Sequence, residues 1–248
     1  MTTLHGRLDL PDLPALMREF PMLPLASISQ AQRAPLAAAT WYGTVHHGLP
    51  RDLYQLGCGD GGYLAFVGRV CPEKAPDRTI EIARRAGLLL TIAAKVDKAD
   101  RAYYKTRIKP LLKDPLIDFI GEIGEADKGA LFGDALALLF PIDWPEPFGL
   151  VLIEAMANGT RVIAFRRGSV PEIVEDGVTG YIVEDVDEAV AAVPLARSLD
   201  RARIRRRFEA RFTAERMTAD YLALYDAVRR RAAAGAPFGY AAGASNAA

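Results

Sequence analysis

The sequence predicts an α/β fold built on a doubly wound parallel sheet. From Tyr63 onward, short apolar runs with β-strand propensity alternate with longer segments of helical periodicity, which is the pattern of βαβ units. Several of these runs are apolar on both faces, as is typical of strands that lie between two layers of helices. Half of the 248 residues are hydrophobic, so the chain can fill a core of this kind.

The apolar runs define five strands and an optional sixth. The strands are predicted at Tyr63–Val67, Leu88–Ala93, Ile117–Ile120, Ala135–Phe140 and Arg161–Phe165, with Tyr181–Val183 as the sixth. Helices are predicted between them, near Ala75–Ala86, Lys98–Leu112, Ala126–Phe132, Leu150–Ala157 and Val186–Val193. Pro76 and Gly87 supply start and stop signals for the first of these helices.

The chain divides into five predicted segments. These are the end of a preceding domain with a hinge (1–48), a linker (49–62), the sheet domain (63–195), a C-terminal helical segment (196–231) and a disordered tail (232–248). Fragmentary strands in the first segment end at His5 and span Met22–Ser27. Thr213 is a predicted N-cap for a charged helix from Ala214 to Arg231. The tail is rich in Ala and Gly and has little apolar surface to bury.

Composition argues against several classes of function. Lys+Arg and Asp+Glu both total 31, so no overall charge favours binding to nucleic acid or to an anionic membrane. Cys58 and Cys71 lack the spacing of a disulfide framework or a metal site. The apolar runs are far shorter than the roughly 20 residues of a membrane span, so a cytoplasmic protein is expected. Residues 201–211 hold six arginines, for which a solvated helix face is preferred, with peripheral membrane contact left open.

Three motifs imitate functional sites. Residues 57–62 match GxGxxG but precede a strand instead of opening a helix, so we interpret them as a flexible linker. Asp185 and Asp187 imitate a metal-binding DxD, yet they lie where a helix begins and suit a cap. His46 and His47 are adjacent and cannot both face one metal from a regular element, so we expect them to flank a hinge.

Cations and carboxylates follow two of the predicted strands. Arg69 and Lys74 come directly after the first strand of the sheet domain, at the edge where doubly wound folds bind ligands. Two prolines order the loop at 143–149, and the following helix N-terminus is an anion site. Glu146 in this loop and Glu154 one turn inside the helix can reach one ligand at different depths. The alternative is a surface Glu146 and a Glu154 held in a helix salt bridge.

Three segments together resemble the C-terminal domain of glycosyltransferase family 4. They are GR…EK at 68–74, EPFGLVLIEAMANGTRVIA at 146–164 and GSVPEIVEDGVTGYIV at 168–183, and their order and spacing match the family. The resemblance covers about Thr40 to Arg229. It implies the Rossmann-like C-terminal half of a GT-B fold plus a partial N-terminal segment, with a terminal helix that crosses back to the N-terminal domain. The family usually has glycine where this sequence has Ala75, and most of its N-terminal half has no counterpart here.

The resemblance also implies a function. Members transfer a hexosyl group from a nucleoside-diphosphate sugar with retention, without a metal or another cofactor, to an acceptor that is here unknown (a saccharide, a lipid or a small molecule). It assigns the diphosphate to Arg69 and Lys74, the ribose to Glu154 and the transferred sugar to Glu146. Main-chain contacts are implied for Phe148, Gly149 and Leu150, and proximity to the reacting sugar for His5.

Two alternatives to this function remain open. The first is a non-catalytic nucleotide-binding module that needs a missing N-terminal half or a partner chain. The second is another enzyme on the same fold, such as a nucleotide-sugar epimerase or a phosphorylase.

Overall fold

The computed structural model describes residues 1–233 and places two parallel sheets in that part of the chain. The smaller sheet has strands β1 (Thr2–Thr3), β2 (Leu25–Ser27) and β3 (Trp41–Thr44), in sequence order. The larger sheet has strands β4 (Leu64–Arg69), β5 (Leu90–Lys95), β6 (Ile117–Gly121), β7 (Ala137–Phe140), β8 (Arg161–Phe165) and β9 (Gly180–Val183). Their order is β6-β5-β4-β7-β8-β9, and all neighbours are parallel.

Helices connect the strands and extend beyond them. In chain order they are α1 (Leu13–Glu19), α2 (Pro76–Ala86), α3 (Arg101–Tyr103), α4 (Glu125–Asp134), α5 (Leu150–Ala157), α6 (Val170–Ile173), α7 (Val186–Ala196), α8 (Arg201–Arg211) and α9 (Ala214–Ala233). Side chains of α2 and α7 share one buried cluster with the sheet, while those of α5 and α8 share the other. The sheet is therefore covered on both faces, which confirms the doubly wound α/β prediction.

The six predicted strands of the larger sheet are confirmed, including the optional sixth. Helix α5 and strand β8 begin and end at the residues that the sequence predicts. The single helix predicted at Lys98–Leu112 is only partly confirmed. A helical turn at Arg101–Tyr103 leads into a π-helical turn at Tyr104–Ile108 and then a 3-10 turn at Leu111–Lys113. Pro110 lacks the N–H that would continue a regular helix through this segment.

The DxD-like pair at the start of α7 is a helix cap, as expected. The Oδ1 atom of Asp185 accepts a hydrogen bond of 2.9 Å from the backbone N–H of Glu188. The carboxylate of Asp187 pairs with Arg85 of α2, with an N–O distance of 2.6 Å.

The glycine-rich segment 57–62 lies between the two sheets and precedes β4, so it does not open a helix. It is a packed segment, which differs from the flexible linker that the sequence suggests. The backbone N–H of Gly59 donates to the carbonyl oxygen of Gly133 at 2.9 Å. A Cβ atom on Gly57 would lie only 2.2 Å from the Cα atom of Gly133. Close approach to the end of α4 therefore explains glycine at this position.

Helix α9 returns to the smaller sheet, as the resemblance implies. A Cβ atom on Gly43 of β3 would lie 2.8 Å from Leu224 Cδ1 of α9, so glycine allows this close packing. At the helix start, the N–H of Arg216 donates to Thr213 Oγ1 at 3.3 Å, as the predicted N-cap requires. The helix extends to Ala233, two residues into the predicted tail, and the rest of that prediction lies outside the described residues. Up to Ala233, no helix is both long and apolar enough to cross a bilayer.

Candidate active site

The strand order creates a topological switch point between β4 and β7. From β4 the chain moves outward to β5 and β6, and it then returns to β7 on the opposite side of β4. The connections that follow β4 and β7 therefore lead to opposite sides of the sheet and leave a crevice at the carboxyl ends of these two strands. Doubly wound folds bind ligands in such a crevice. Two cavities lie in this crevice.

The first cavity has a volume of about 350 Å³ and lies beside the loop after β7. Six of the eight predicted site residues line it, and they are His5, Lys74, Glu146, Phe148, Gly149 and Leu150. His5 comes from the N-terminal segment, so the smaller sheet supplies one wall. The N-terminus of α5 supplies another, and its unpaired N–H groups and helix dipole favour an anion there.

Glu146 is nearly buried in this first cavity. The Nζ atom of Lys74 contacts Glu146 Oε2, and the indole N–H of Trp144 donates to the same oxygen at 3.0 Å. The ammonium of Lys74 also lies 5.3 Å from the centre of the Phe140 ring and 5.6 Å from that of Trp144. Lys74 therefore compensates the charge of Glu146 and makes cation–π contacts with these two rings.

The second cavity, of about 390 Å³, contains Glu154. It shares Val67, Gly68 and Val151 with the first cavity, so the two adjoin along β4 and the start of α5. Only 12% of the Glu154 side chain is exposed. Burial raises the pKa of its carboxyl, and the nearby Lys128 ammonium, whose Nζ lies 3.1 Å from Glu154 Oε1, opposes that rise. One carboxylate thus faces each of two joined cavities.

A family model described as "Glycosyl transferases group 1" matches residues 58–212, more than half of the chain. The chain belongs to this family.

Curated relatives of this chain include D-inositol 3-phosphate glycosyltransferases. That of Mycobacterium ulcerans (strain Agy99) is 35% identical over 138 residues, which are 52% of this chain and 29% of the relative. That of Mycobacterium leprae (strain Br4923) is 32% identical over 162 residues, covering 58% of this chain and 37% of the relative. The match therefore spans about a third of the length of these relatives.

Solved structures of glycosyltransferases share the fold. AviGT4, a glycosyltransferase involved in avilamycin A biosynthesis, aligns with a TM-score of 0.71 at 23% identity, over 85% of this chain and 64% of AviGT4. HepE of Anabaena, solved in complex with UDP and glucose, aligns with a TM-score of 0.76 at 18% identity, over 91% of this chain and 71% of HepE. These alignments show a Rossmann-like fold that matches GT-B glycosyltransferases.

Arg69 lines neither cavity. Its side chain is half exposed at the end of β4, and its guanidinium approaches Asp97 at 3.7 Å and Asp100 at 3.6 Å. The structure therefore separates Arg69 from Lys74, although the sequence groups them. Its predicted contact with a diphosphate stays a prediction.

Of the two adjacent histidines, His47 lies in the site, which the sequence did not indicate. The rings of His5 and His47 stack with centroids 5.3 Å apart. The rings of His47 and Phe148 meet in a T-shaped contact with centroids 4.8 Å apart. Burial, together with the smaller effects of the neighbouring His5, His46 and Arg216, lowers the pKa of His47 to about 4. His47 therefore stays neutral at physiological pH beside His5.

His46 takes part in a contact between the N-terminal segment and the larger sheet domain. Its Nε2 atom lies 3.2 Å from the carboxylate of Glu172. The same carboxylate accepts hydrogen bonds of 2.7 Å from the backbone N–H groups of Gln30 and Ala31. These contacts fix the segment that carries His5 against the domain that carries Glu146. That the histidine pair flanks a hinge stays a prediction.

The arginine-rich helix α8 is only partly the solvated face that the sequence favours, because Arg203, Arg206 and Arg207 are exposed while Arg201 is buried. Arg201 is 8% exposed and donates to five backbone carbonyl groups and one hydroxyl: Gly57, Phe132, Gly133, Ala135, Asn158 and Thr160. Arg205 and Arg211 of the same helix also donate to backbone carbonyl oxygens. Because α4 ends at Asp134 and α5 ends at Ala157, Arg201 caps both helix C-termini, where the helix dipole favours a cation.

Lys128 is the other residue of the site that the sequence did not indicate. It lies in α4 and its ammonium contacts both Glu125 and Glu154, each at 3.1 Å. The sequence shows a Lys three residues after a Glu, which is typical of an exposed helix pair. Its second partner lies 26 positions away and follows from the packing of α4 beside α5.

Proposed function

We propose that this chain carries the donor-binding site of a retaining glycosyltransferase of family 4, which uses a nucleoside-diphosphate sugar and no metal. The observation that supports this most is the placement of Glu146 and Glu154 in two joined cavities at the switch point of the sheet. Hydroxyl-rich groups at the two ends of a nucleotide sugar suit two carboxylates, and an anion between them suits the N-terminus of α5.

In this proposal the nucleoside occupies the cavity of Glu154 and the sugar occupies the cavity of Glu146. Glu154 accepts hydrogen bonds from the ribose hydroxyls, and Glu146 accepts them from the sugar. The diphosphate lies beside Gly68, Lys74 and the N-terminus of α5, with main-chain contacts around Phe148–Leu150. His5 faces the reacting sugar from the N-terminal segment. Arg69, at the edge of the cleft, can reach the diphosphate only if it leaves its two aspartates.

The transfer step places negative charge on the departing diphosphate. When the bond between the anomeric carbon and the phosphate oxygen breaks, its electron pair stays on that oxygen. Lys74 and the helix N–H groups stabilise the charge that develops there, in place of a metal ion. An acceptor hydroxyl then attacks the anomeric carbon from the same face and passes its proton to the departing phosphate oxygen, so the anomeric configuration is retained. Up to Ala233, no three His, Cys, Asp or Glu side chains lie close enough to hold a metal, and metal independence stays a prediction.

Nucleotide titration calorimetry tests the proposal. We expect UDP, GDP or ADP to bind the wild-type chain, and Glu154→Gln to weaken that binding by about 1.5–3 kcal/mol, because a charged acceptor for the ribose is lost. This corresponds to a rise in Kd of roughly 10-fold to 150-fold. Glu81→Gln is the matched control, since Glu81 is more than half exposed on α2 and lies in neither cavity.

The sugar end is tested by turnover. We expect Glu146→Gln to leave the Kd of the nucleotide nearly unchanged and to reduce donor hydrolysis or transfer, measured by mass spectrometry in the presence of EDTA. Unaltered nucleotide affinity in Glu154→Gln would refute the assignment of the ribose site. Nucleotide binding with no turnover of any donor would favour the binding-module alternative.

A further inference from the structure

A third cavity adjoins the sugar end of the site and differs from it in chemistry. It has a volume of about 210 Å³ and shares Gly6 and Pro147 with the cavity that contains Glu146. The rest of its wall is Arg7, Leu8, Asp9, Ala31, Gln32, Ala34, Pro35 and Pro145. Most of these side chains are apolar and come from the N-terminal segment, opposite the donor-binding domain.

The polar side chains in this wall are already paired. Arg7 and Asp9 form a two-bonded ion pair with N–O distances of 2.9 and 2.7 Å. The amide of Gln32 donates to the carbonyl oxygens of Leu4 and Gly6 and accepts from the N–H of Ile28. A polar ligand would have to break these bonds to gain new ones, whereas an apolar ligand only displaces water.

The apolar wall continues away from the site. Pro35 also borders a larger cavity of about 440 Å³. Its wall is largely apolar and includes Met17, Phe20, Met22, Leu23 and Leu36. Phe20 and Met22 are 56% and 41% exposed, so this wall presents apolar side chains to the outside. A run of apolar surface therefore leads from the sugar end of the site across the N-terminal segment.

We propose that this run is the subsite for the apolar portion of an amphiphilic acceptor, such as a hydroxyl-bearing head group on an alkyl or prenyl chain. The inference rests on the proposed function, because the cavity of Glu146 must hold the sugar for the acceptor hydroxyl to meet it. The head group then lies between His5 and Glu146, and the chain passes Gly6 and Pro147 toward Pro35.

Calorimetry with ethyl, butyl and hexyl glucoside tests the subsite on the full chain saturated with nucleotide. If the alkyl chain enters the cavity, each methylene buried lowers the Kd by roughly fourfold. Ala34→Phe places a ring in the cavity from an exposed position of the 3-10 turn at 31–36. We expect this variant to lose the dependence on chain length. Ala126→Phe is the matched control, an exposed alanine of α4 that lines none of these cavities.

Two results would overturn the inference. One is a Kd in the wild-type chain that does not change from ethyl to hexyl glucoside, and this needs no variant to fold. The other is a chain-length dependence that survives in folded Ala34→Phe, because the alkyl chain would then bind elsewhere. Nucleotide affinity is measured separately in each protein, so failure of the donor site and failure of the apolar subsite give different results.

Discussion

Replacing Arg201 should destabilise the fold more than replacing any other arginine of helix α8. The perturbation is Arg201→Met, which keeps most of the side-chain length and removes the guanidinium. The five carbonyl groups that accept from Arg201 then lose this donor, in a part of the protein where water has little access. Burial lowers the pKa of Arg201 to about 10, so the group is still a cation at neutral pH and its bonds are charge-assisted.

The expected loss follows from these contacts. If only two of the carbonyl groups remain without a donor, at about 1.5–3 kcal/mol each, the loss is about 3–6 kcal/mol. Removing a desolvated charge offsets part of this, so we expect the free energy of unfolding to fall by about 3–4 kcal/mol. Arg201→Lys should lose less, because an ammonium keeps the charge and up to three donors.

Urea denaturation at pH 7, followed by circular dichroism, measures this change. Arg203→Met is the control, because Arg203 lies on the same helix with an exposed side chain, and it should shift stability by no more than about 0.5 kcal/mol. A loss below about 1 kcal/mol in Arg201→Met would refute the reasoning that Arg201 satisfies the ends of α4 and α5.

Two further predictions concern the site. Gly168 has a φ of +52°, and an added Cβ would lie 2.3 Å from the carbonyl oxygen of Glu146. Gly168→Ala should therefore lower the free energy of unfolding, measured by thermal denaturation, by about 2–4 kcal/mol. Gly177→Ala, with a φ of +70° and open space around it, should lose only about 1 kcal/mol, and equal losses would contradict the clash. For His47, the unfolded chain binds a proton near pH 6.5 while the folded chain does so near pH 4, so acid favours the unfolded state. Between pH 7 and pH 4.5 the wild type should lose up to about 2 kcal/mol more than His47→Asn does, and equal losses would exclude a neutral buried His47.

The larger sheet could be predicted because its signals are local. The strand at Arg161–Phe165 follows the helix at Leu150–Ala157 after only three residues, which leaves little freedom in either boundary. The apolar runs on both faces then imply two helix layers. The helix predicted at Lys98–Leu112 is only partly confirmed, because the helical periodicity of the sequence continues through Pro110, which interrupts the backbone hydrogen bonds.

The partners of charged residues could not be predicted in the same way. In the sequence Arg201 is one of six arginines on a predicted polar helix. The oxygens that accept its hydrogen bonds, however, lie 41 to 144 positions away in the chain. His47 reads as a loop residue, and its neighbours His5 and Phe148 come from distant segments. Arginine and histidine are common both on protein surfaces and in functional sites. Sequence spacing does not distinguish these two environments, because the partner of each side chain is set by tertiary packing.

The pairing of each carboxylate with a lysine decides how a diphosphate can be held. Glu146 pairs with Lys74 and Glu154 pairs with Lys128, so the two joined cavities carry little net charge. Arg69 is engaged by two aspartates at the rim. A diphosphate therefore competes with carboxylates for each of these cations, and every gain in phosphate contact is reduced by a lost ion pair. The N–H groups of Leu150 and Val151 at the start of α5 carry no such competition, because they precede the first bond of the helix, which the N–H of Leu152 donates to the carbonyl oxygen of Gly149. In the proposed donor site these N–H groups bind the diphosphate of the intact donor. Lys74 stabilises the transition state more than the bound donor, because negative charge then develops on the departing phosphate.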